Sequence, residues 1–175
     1  KDALRLLSLF SDGGLRDAES MLGQVIAGRE KLTADDVRLV LGAPKEEQVL
    51  GFLEALLAKN LAIAARVVNE TIDQGTDPQA YLKMIIRTAR HLLLSRLDKE
   101  ETASIASELS DDEQAFLQKH AEGASVPELT QMIKLLIDAY WMSYRTIFPQ
   151  LPLELAVVEI LRDVFVSASV PIKEA

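Results

Sequence analysis

The sequence predicts an all-α protein, with a short three-helix segment over residues 1–42 and a helical bundle over residues 43–175. Three observations carry this expectation. Apolar residues recur at the three- and four-residue spacing of a single helix face along nearly the whole chain. No stretch sustains the strict alternation of a half-buried strand. Helix-start signals punctuate the pattern at Thr33-Ala-Asp-Asp36, Asp77-Pro78, Ser110-Asp-Asp-Glu113 and Ser125-Val-Pro-Glu128. A chain of 175 residues that is 49% hydrophobic and 26% charged has enough apolar material for a core and too much for disorder.

The elements follow in order. Leu4, Leu7 and Phe10 make a short apolar stripe that ends at Ser11-Asp12-Gly13-Gly14. Leu15, Ala18, Leu22, Val25 and Ile26 make the next, stopped by Gly28. Thr33 and Asp36 form a loose capping box for a helix bearing Val37, Val40 and Leu41 and closing at Gly42. Pro44 suits the first position of a new helix carrying Val49, Leu50, Leu53, Leu56 and Leu57. Lys59-Asn60 reads as a tight turn into a second arm with Leu61, Ala64, Ala65, Val68 and Ile72, capped by Gly75. From Asp77-Pro78 a long helix runs through Tyr81, Ile85, Ala89, Leu92 and Leu93, with a second apolar edge at Met84 and Leu94. Ser125 opens another, bearing Leu129, Met132, Ile133, Leu136, Tyr140, Tyr144 and Ile147, which Pro149 ends. The last runs from Leu151 to Val166 and is apolar around almost its whole circumference, broken by Glu154, Glu159, Arg162 and Asp163. A helix of that kind sits at the centre of its own bundle or is covered by a neighbour. The first 42 residues hold too little apolar surface to fold alone, whereas the rear segment reads as a complete helical domain.

Composition narrows the function. A net charge of −8 disfavours non-specific binding to nucleic acid or to a membrane surface. The absence of cysteine removes disulfides, thiolate catalysis and cysteine-based zinc sites, and fits a reducing, cytoplasmic setting. No run approaches the roughly 20 apolar residues of a spanning helix, and Lys1-Asp2 opens no signal-peptide pattern. The chain starts inside a helical pattern without a Met and reads as a piece of a longer protein.

Candidate chemistry is sparse. No G-x-x-x-x-G-K-[ST] loop is present, and His91 and His120 stand in no metal-ligand spacing. His91, beside Arg87 and Arg90, is expected to be solvated or snorkelling; His120 is expected to serve a helix end. Glu100-Glu101 reads as a solvated run, and Asp111-Asp112-Glu113 as helix capping. Arg87, Arg90 and Arg96 are expected to pair with Asp98, Glu100 and Glu101 rather than to bind nucleic acid. Tyr140, Trp141 and Tyr144 are expected in the core, with a small-molecule pocket around Trp141 and Tyr144 as a distant alternative. No catalytic or metal-binding residue is expected. Arg16 is the exception. A cation in the first turn of a helix opposes the macrodipole, yet a guanidinium added to free N–H groups makes a site for a multiply charged anion such as a phosphate. Gly13 and Gly14 would let the backbone approach closely, and the plainer reading is an exposed Arg16 paired with Asp12 or Asp17.

These residues resemble a family. Gly13-Gly14-Leu15-Arg16-Asp17-Ala18-Glu19-Ser20 resembles the G-[SG]-[LM]-R-D-A motif in the lid of AAA+ clamp-loader ATPases. Residues 21–27, MLGQVIA, are similar to the usual L-L-D-Q-A-I-A, with Gly23 in place of Asp. Residues 33–42, TADDVRLVLG, are similar to T-x-x-D-V-x-x-x-L-G, and residues 149–158, PQLPLELAVV, to the P-x-x-x-L-E-[LM]-A stretch late in the collar domain. The family is the bacterial DNA polymerase III gamma/tau subunit, and the resemblance spans the whole chain, sharpest at its two ends. It implies a partial AAA+ lid over 1–42 and a collar, or oligomerisation, domain over 43–175. It implies that Arg16 is the sensor-2 arginine, reaching the γ-phosphate of ATP in the intact protein. The P-loop and zinc module of the family lie upstream of this sequence, so no cofactor and no ATP hydrolysis are expected of these residues alone. It implies association with other clamp-loader subunits through the collar, self-association, and only indirect contact with DNA and the sliding clamp. The rival from another class is a stand-alone helical adaptor that binds a partner helix or peptide in a groove.

Overall fold

A computed structural model describes residues 2–11, 14–26, 33–97, 109–120 and 123–162. Among the described residues there are nine helices and no strand. The first three are α1 (Asp2–Phe10), α2 (Leu15–Ile26) and α3 (Ala34–Leu41). They share a small core of Ala3, Leu6, Leu7, Val25 and Val37. The face of α1 is therefore set by residues 3, 6, 7 and 10, and Leu4, expected inside, is exposed. Leu15 is also exposed, because the first turn of α2 projects beyond the small core. The Thr33 capping box forms as expected: the Asp36 N–H donates to Thr33 Oγ1 at 3.2 Å and the Thr33 N–H to Asp36 Oδ2 at 3.0 Å.

Gly42 joins this trio to the bundle. It terminates α3 in the left-handed region, φ 59°, with its neighbour Ala43 donating back to Arg38 O at 2.9 Å. Its own carbonyl accepts the Asp77 N–H at 2.8 Å. A Cβ built at Gly42 would stand 2.8 Å from the Asp77 Cβ. Both the backbone angle and the approach of a second chain segment demand glycine. Gly42→Ala is expected to destabilise the fold by more than the ~1 kcal/mol of an ordinary left-handed site, read as a lowered midpoint in thermal denaturation; an unchanged midpoint would show that the junction tolerates a side chain.

The bundle contains α4 (Glu46–Leu57), α5 (Leu61–Asp73), α6 (Pro78–Leu97), α7 (Asp111–His120), α8 (Val126–Ser143) and α9 (Leu151–Ile160). Pro44 does not begin α4. Lys45 is the N-cap, its N–H taken by Gln48 Oε1 at 2.7 Å, and the buried Pro44 lies one residue outside. The α4–α5 hairpin closes through Lys59, held at φ 54°, and through Asn60, whose Oδ1 accepts the Ile63 N–H at 3.1 Å. Asp77 caps α6 from its side chain to the Ala80 N–H at 2.8 Å, with Pro78 at the first helical position.

Helix α6 is the centre. Tyr81, Leu82, Ile85, Ala89 and Leu92 are fully buried, and α6 packs chiefly on α8 and then on α4. Met84, expected on a spare apolar edge, is buried in this core, while Leu94 is half-buried. Helix α9 packs on α8 and α5. Helix α8 ends at Ser143 rather than running to Pro149, because Arg145 donates to Met142 O at 3.0 Å and the chain turns. Ile147 consequently stands in solvent. Of the last helix, residues 163–166 lie outside the described residues.

Two carboxylates fasten the bundle's ends. Ser125 and Glu128 form a full capping box on α8, and Lys59 Nζ reaches Glu128 Oε1 at 3.2 Å. The Ser125 hydroxyl and N–H, then Lys59, lower the Glu128 carboxyl from 4.5 to about 2. Glu54 accepts Lys119 Nζ and meets His120 Nε2, each at 2.7 Å, and the Lys119 hydrogen bond leads the causes that lower its carboxyl. A depressed folded-state carboxyl contributes stability above its unfolded value, and that contribution is lost as pH falls. The Glu128 part is thus expected to be complete above pH 4.5 and lost toward about pH 2. In Ser125→Ala, acid unfolding should flatten over that window, with ~1 kcal/mol of stability lost at neutral pH from the cap itself. An acid limb identical to the parent's would show that the cap does not couple to pH.

Candidate functional site

Arg16 occupies the second position of α2 and is exposed, as is Asp17 beside it. The helix begins where the Ala18 N–H donates to Gly14 O at 3.0 Å, so the N–H groups of Leu15, Arg16 and Asp17 have no carbonyl one turn back within α2. The Gly14 N–H donates to Ser11 O at 2.7 Å, folding the chain tightly back on the end of α1. A Cβ at Gly14 would lie 3.2 Å from that Ser11 oxygen and 2.9 Å from Asp17 Oδ2, so glycine fits the close approach. Gly13 and Asp12 lie outside the described residues. The result is an exposed guanidinium beside the first-turn N–H groups of a helix, the donors from which an anion site can be built.

The other candidates distribute differently. His91 is buried in α6 rather than solvated, because the long helix turns that face into the bundle. His120 does serve a helix end, tying α7 to α4 through Glu54. Arg87 pairs with Glu113 at 3.0 Å; Asp98, Glu100 and Glu101, the expected partners of the Arg87, Arg90 and Arg96 stripe, lie outside the described residues. The aromatic cluster is not core. Tyr140 is half-buried, but Trp141 and Tyr144 are 64% and 55% exposed, because the buried face of α8 is set by Leu129, Met132, Leu136 and Ala139. The three rings contact one another, and the Tyr140 and Tyr144 hydroxyls share a 2.7 Å hydrogen bond. Trp141, Met142, Tyr144 and Arg145 line only a shallow depression of about 400 Å³. Among the described residues no group of side chains could hold a metal ion, and no helix is long and apolar enough to cross a membrane.

Helix α9 resolves its all-round apolar character into two faces. Leu153, Ala156, Val157 and the following Leu161 are buried, whereas Leu151, Leu155 and Val158 form an exposed stripe at four- and three-residue spacing. Ile137 and Trp141 of α8, with Tyr144 just beyond its end, form a second exposed stripe. Monomeric proteins rarely leave helix faces of this kind open.

Sequence reasoning missed one residue. The spacing predicts Glu113 as a cap, and it does cap: its N–H donates to Ser110 Oγ at 3.0 Å, and that hydroxyl in turn donates to Glu46. Its buried carboxylate also receives Arg5 from α1 and Arg87 from α6. Capping boxes carry no signal of such distant partners, so this role is not readable from local spacing.

The comparisons with known proteins bear on this arrangement. The model of the family described as DNA polymerase III subunits gamma and tau domain III matches residues 32–168, taking in α3 and the whole bundle. The DNA polymerase III subunit tau of Bacillus subtilis (strain 168) is 27% identical over 95% of this chain and 29% of that protein. The tau subunit of Salmonella typhimurium is 30% identical over 64% of the chain and 17% of its own length. Protein STICHEL-like 1 of Arabidopsis thaliana is 37% identical over 43% of the chain and 7% of its length. The chain thus spans less than a third of these relatives. Among solved structures, the Bacillus subtilis DNA clamp loader delta protein superposes with a TM-score of 0.56 at 19% identity, covering 89% of this chain and 49% of that one. That likeness supports the all-α clamp-loader helical fold, and the adaptor reading gains nothing from any of these matches. The chain belongs to the family of DNA polymerase III gamma and tau subunits, of which it carries domain III.

Proposed function

We propose that this chain is the lid-and-collar portion of a clamp-loader subunit. In this reading residues 1–42 are the partial lid and residues 43–175 the collar. The collar associates with sister clamp-loader subunits, including copies of itself, and the lid presents Arg16 to the γ-phosphate of ATP held by the rest of the intact protein. The residues present supply no catalytic group of their own; they supply a persistent interface and a sensor. DNA and the sliding clamp are met only indirectly, in keeping with a net charge of −8, and the setting is the cytoplasm.

The observation that supports assembly most directly is the exposed stripe of Leu151, Leu155 and Val158 on a helix whose other face is the collar's core. Burying such a stripe against a sister subunit contributes roughly 25 cal/mol per Å² of apolar surface removed from water. Sedimentation of the chain across the micromolar range tests the proposal. Concentration-dependent association supports it; a strict monomer, alone and with partner clamp-loader subunits, overturns it.

A further inference from the structure

We infer that Glu113 is the latch that fixes the angle between the three-helix trio and the bundle, with Gly42 as the hinge opposite it. The Arg5 guanidinium of α1 donates to Glu113 Oε2 at 2.8 Å, and the Arg87 guanidinium of α6 donates to Oε1 at 3.0 Å. One carboxylate thereby receives a cation from each side of the junction, one on each oxygen. Thr88 Oγ1 lies 3.4 Å from Oε1, and the Ser110 N–H 3.4 Å from Oε2.

The two halves of this joint are not equivalent. The side chains of Glu113 and Arg87 are 5% and 21% exposed, that of Arg5 38%. Removing Arg5 returns a partly solvated guanidinium to water and leaves Glu113 still held by Arg87, Thr88 and Ser110. Removing Arg87 would strand a buried charge. The Arg5 half is therefore the one that can open and close without unfolding the bundle, a two-state element of the kind that switching needs.

Leu9 and Phe10 of α1 pack against the bundle core, and the other polar contacts between trio and bundle run beside them along α6. Asp77 donates its N–H to Gly42 O at 2.8 Å, at the chain connection itself. Lys83 Nζ reaches Phe10 O at 3.4 Å and stands 5.4 Å from the centre of the Phe10 ring. Asp77, Lys83 and Arg87 succeed one another from the cap of α6 along its length, so the trio lies along α6 from hinge to latch. Because α1 and α2 share one small core, the latch also sets where Arg16 stands relative to the bundle. That last consequence rests on the proposed function; the latch itself does not.

Amide hydrogen exchange on the intact protein, without nucleotide, tests the latch. Arg5→Ala is expected to raise exchange in α1 and α3 by about tenfold, the scale of losing one charge-assisted bond at a partly exposed site, with α6 and α8 unchanged. Arg5→Lys should recover part of the protection. Glu113→Gln, which also frees Arg87 on α6, should raise exchange in α1 and α3 at least as much and add a rise in α6 around Arg87; the Arg5 variants, which leave the Arg87 half intact, decide the latch. In Arg5→Ala, unchanged exchange in α1 and α3 would overturn the latch, as would an equal rise in α6 and α8, which would make the pair a fastening of the bundle alone. A silent Arg16→Ala in ATP-dependent assays would remove the sensor reading and leave the exchange result standing.

Discussion

On the proposed function, Arg16→Ala in the intact protein is expected to slow ATP-dependent clamp loading by roughly 10- to 100-fold while leaving the fold and the association of the bundle unchanged. The size follows from the type of bond. A hydrogen bond to a charged group contributes about 1.5–3 kcal/mol, and each 1.4 kcal/mol is a factor of about ten. The independence from folding follows from position. Arg16 is exposed on the first turn of α2, outside the small core of Ala3, Leu6, Leu7, Val25 and Val37. A cation there opposes the helix dipole by about 0.3–1 kcal/mol, so its removal should leave the thermal midpoint equal or slightly raised. That sign distinguishes a sensor from a structural arginine, whose loss lowers stability. Arg16→Lys tests geometry separately: it keeps the charge and loses the planar fork, so it should recover only part of the rate. Loading rates equal to the parent's in Arg16→Ala would reduce Arg16 to a surface residue.

What the sequence discloses and what it hides divide along a physical line. Local rules were legible. The caps at Thr33, Asp77, Ser110 and Ser125 form where the spacing places them, because a capping bond joins residues three apart and needs no knowledge of the rest of the fold. The left-handed close at Gly42 was legible for the same reason. Face assignments were less so. In α1 a shift of one residue exchanges Leu4 for Ala3, and both choices fit a helical period. Tyr144 continues the apolar pattern of α8 on paper, but the helix ends at Ser143 and the ring stands in solvent. His91 sits between charged neighbours in the sequence and inside the core in space, since neighbours along a helix lie on different faces. Arg5 and Arg87 meet on Glu113 from distant points of the chain, and nothing local reports such a meeting. Arg16 itself was legible as an anomaly, a cation where the dipole disfavours one. The structure adds its exposure and the tight turn at Gly14.

The two faces of α9 should separate folding from assembly. Leu153 is fully buried and Leu155 is 51% exposed, two residues along the same helix. Leu153→Ala removes buried methyl groups from the bundle core and is expected to destabilise the bundle by about 2–5 kcal/mol. At about 2–4 °C per kcal/mol for a chain of this size, the thermal midpoint should fall by roughly 5–20 °C. Leu155→Asp places a charge on the open stripe. In the isolated subunit that charge stays hydrated, and stability should change by less than about 0.5 kcal/mol. In an assembly that covers the stripe the same carboxylate loses water without a partner, and association should weaken by at least about tenfold. Val158→Asp should repeat the effect one turn further along. Circular dichroism melts and sedimentation, run on the same samples, give the two readouts independently. A Leu155→Asp protein that folds and associates like the parent would show that sister subunits meet elsewhere, and the stripe of Ile137, Trp141 and Tyr144 would be the next surface to charge. A Leu155→Asp protein that melts early would mean the stripe is covered within a single chain, and the case for assembly through α9 would end there.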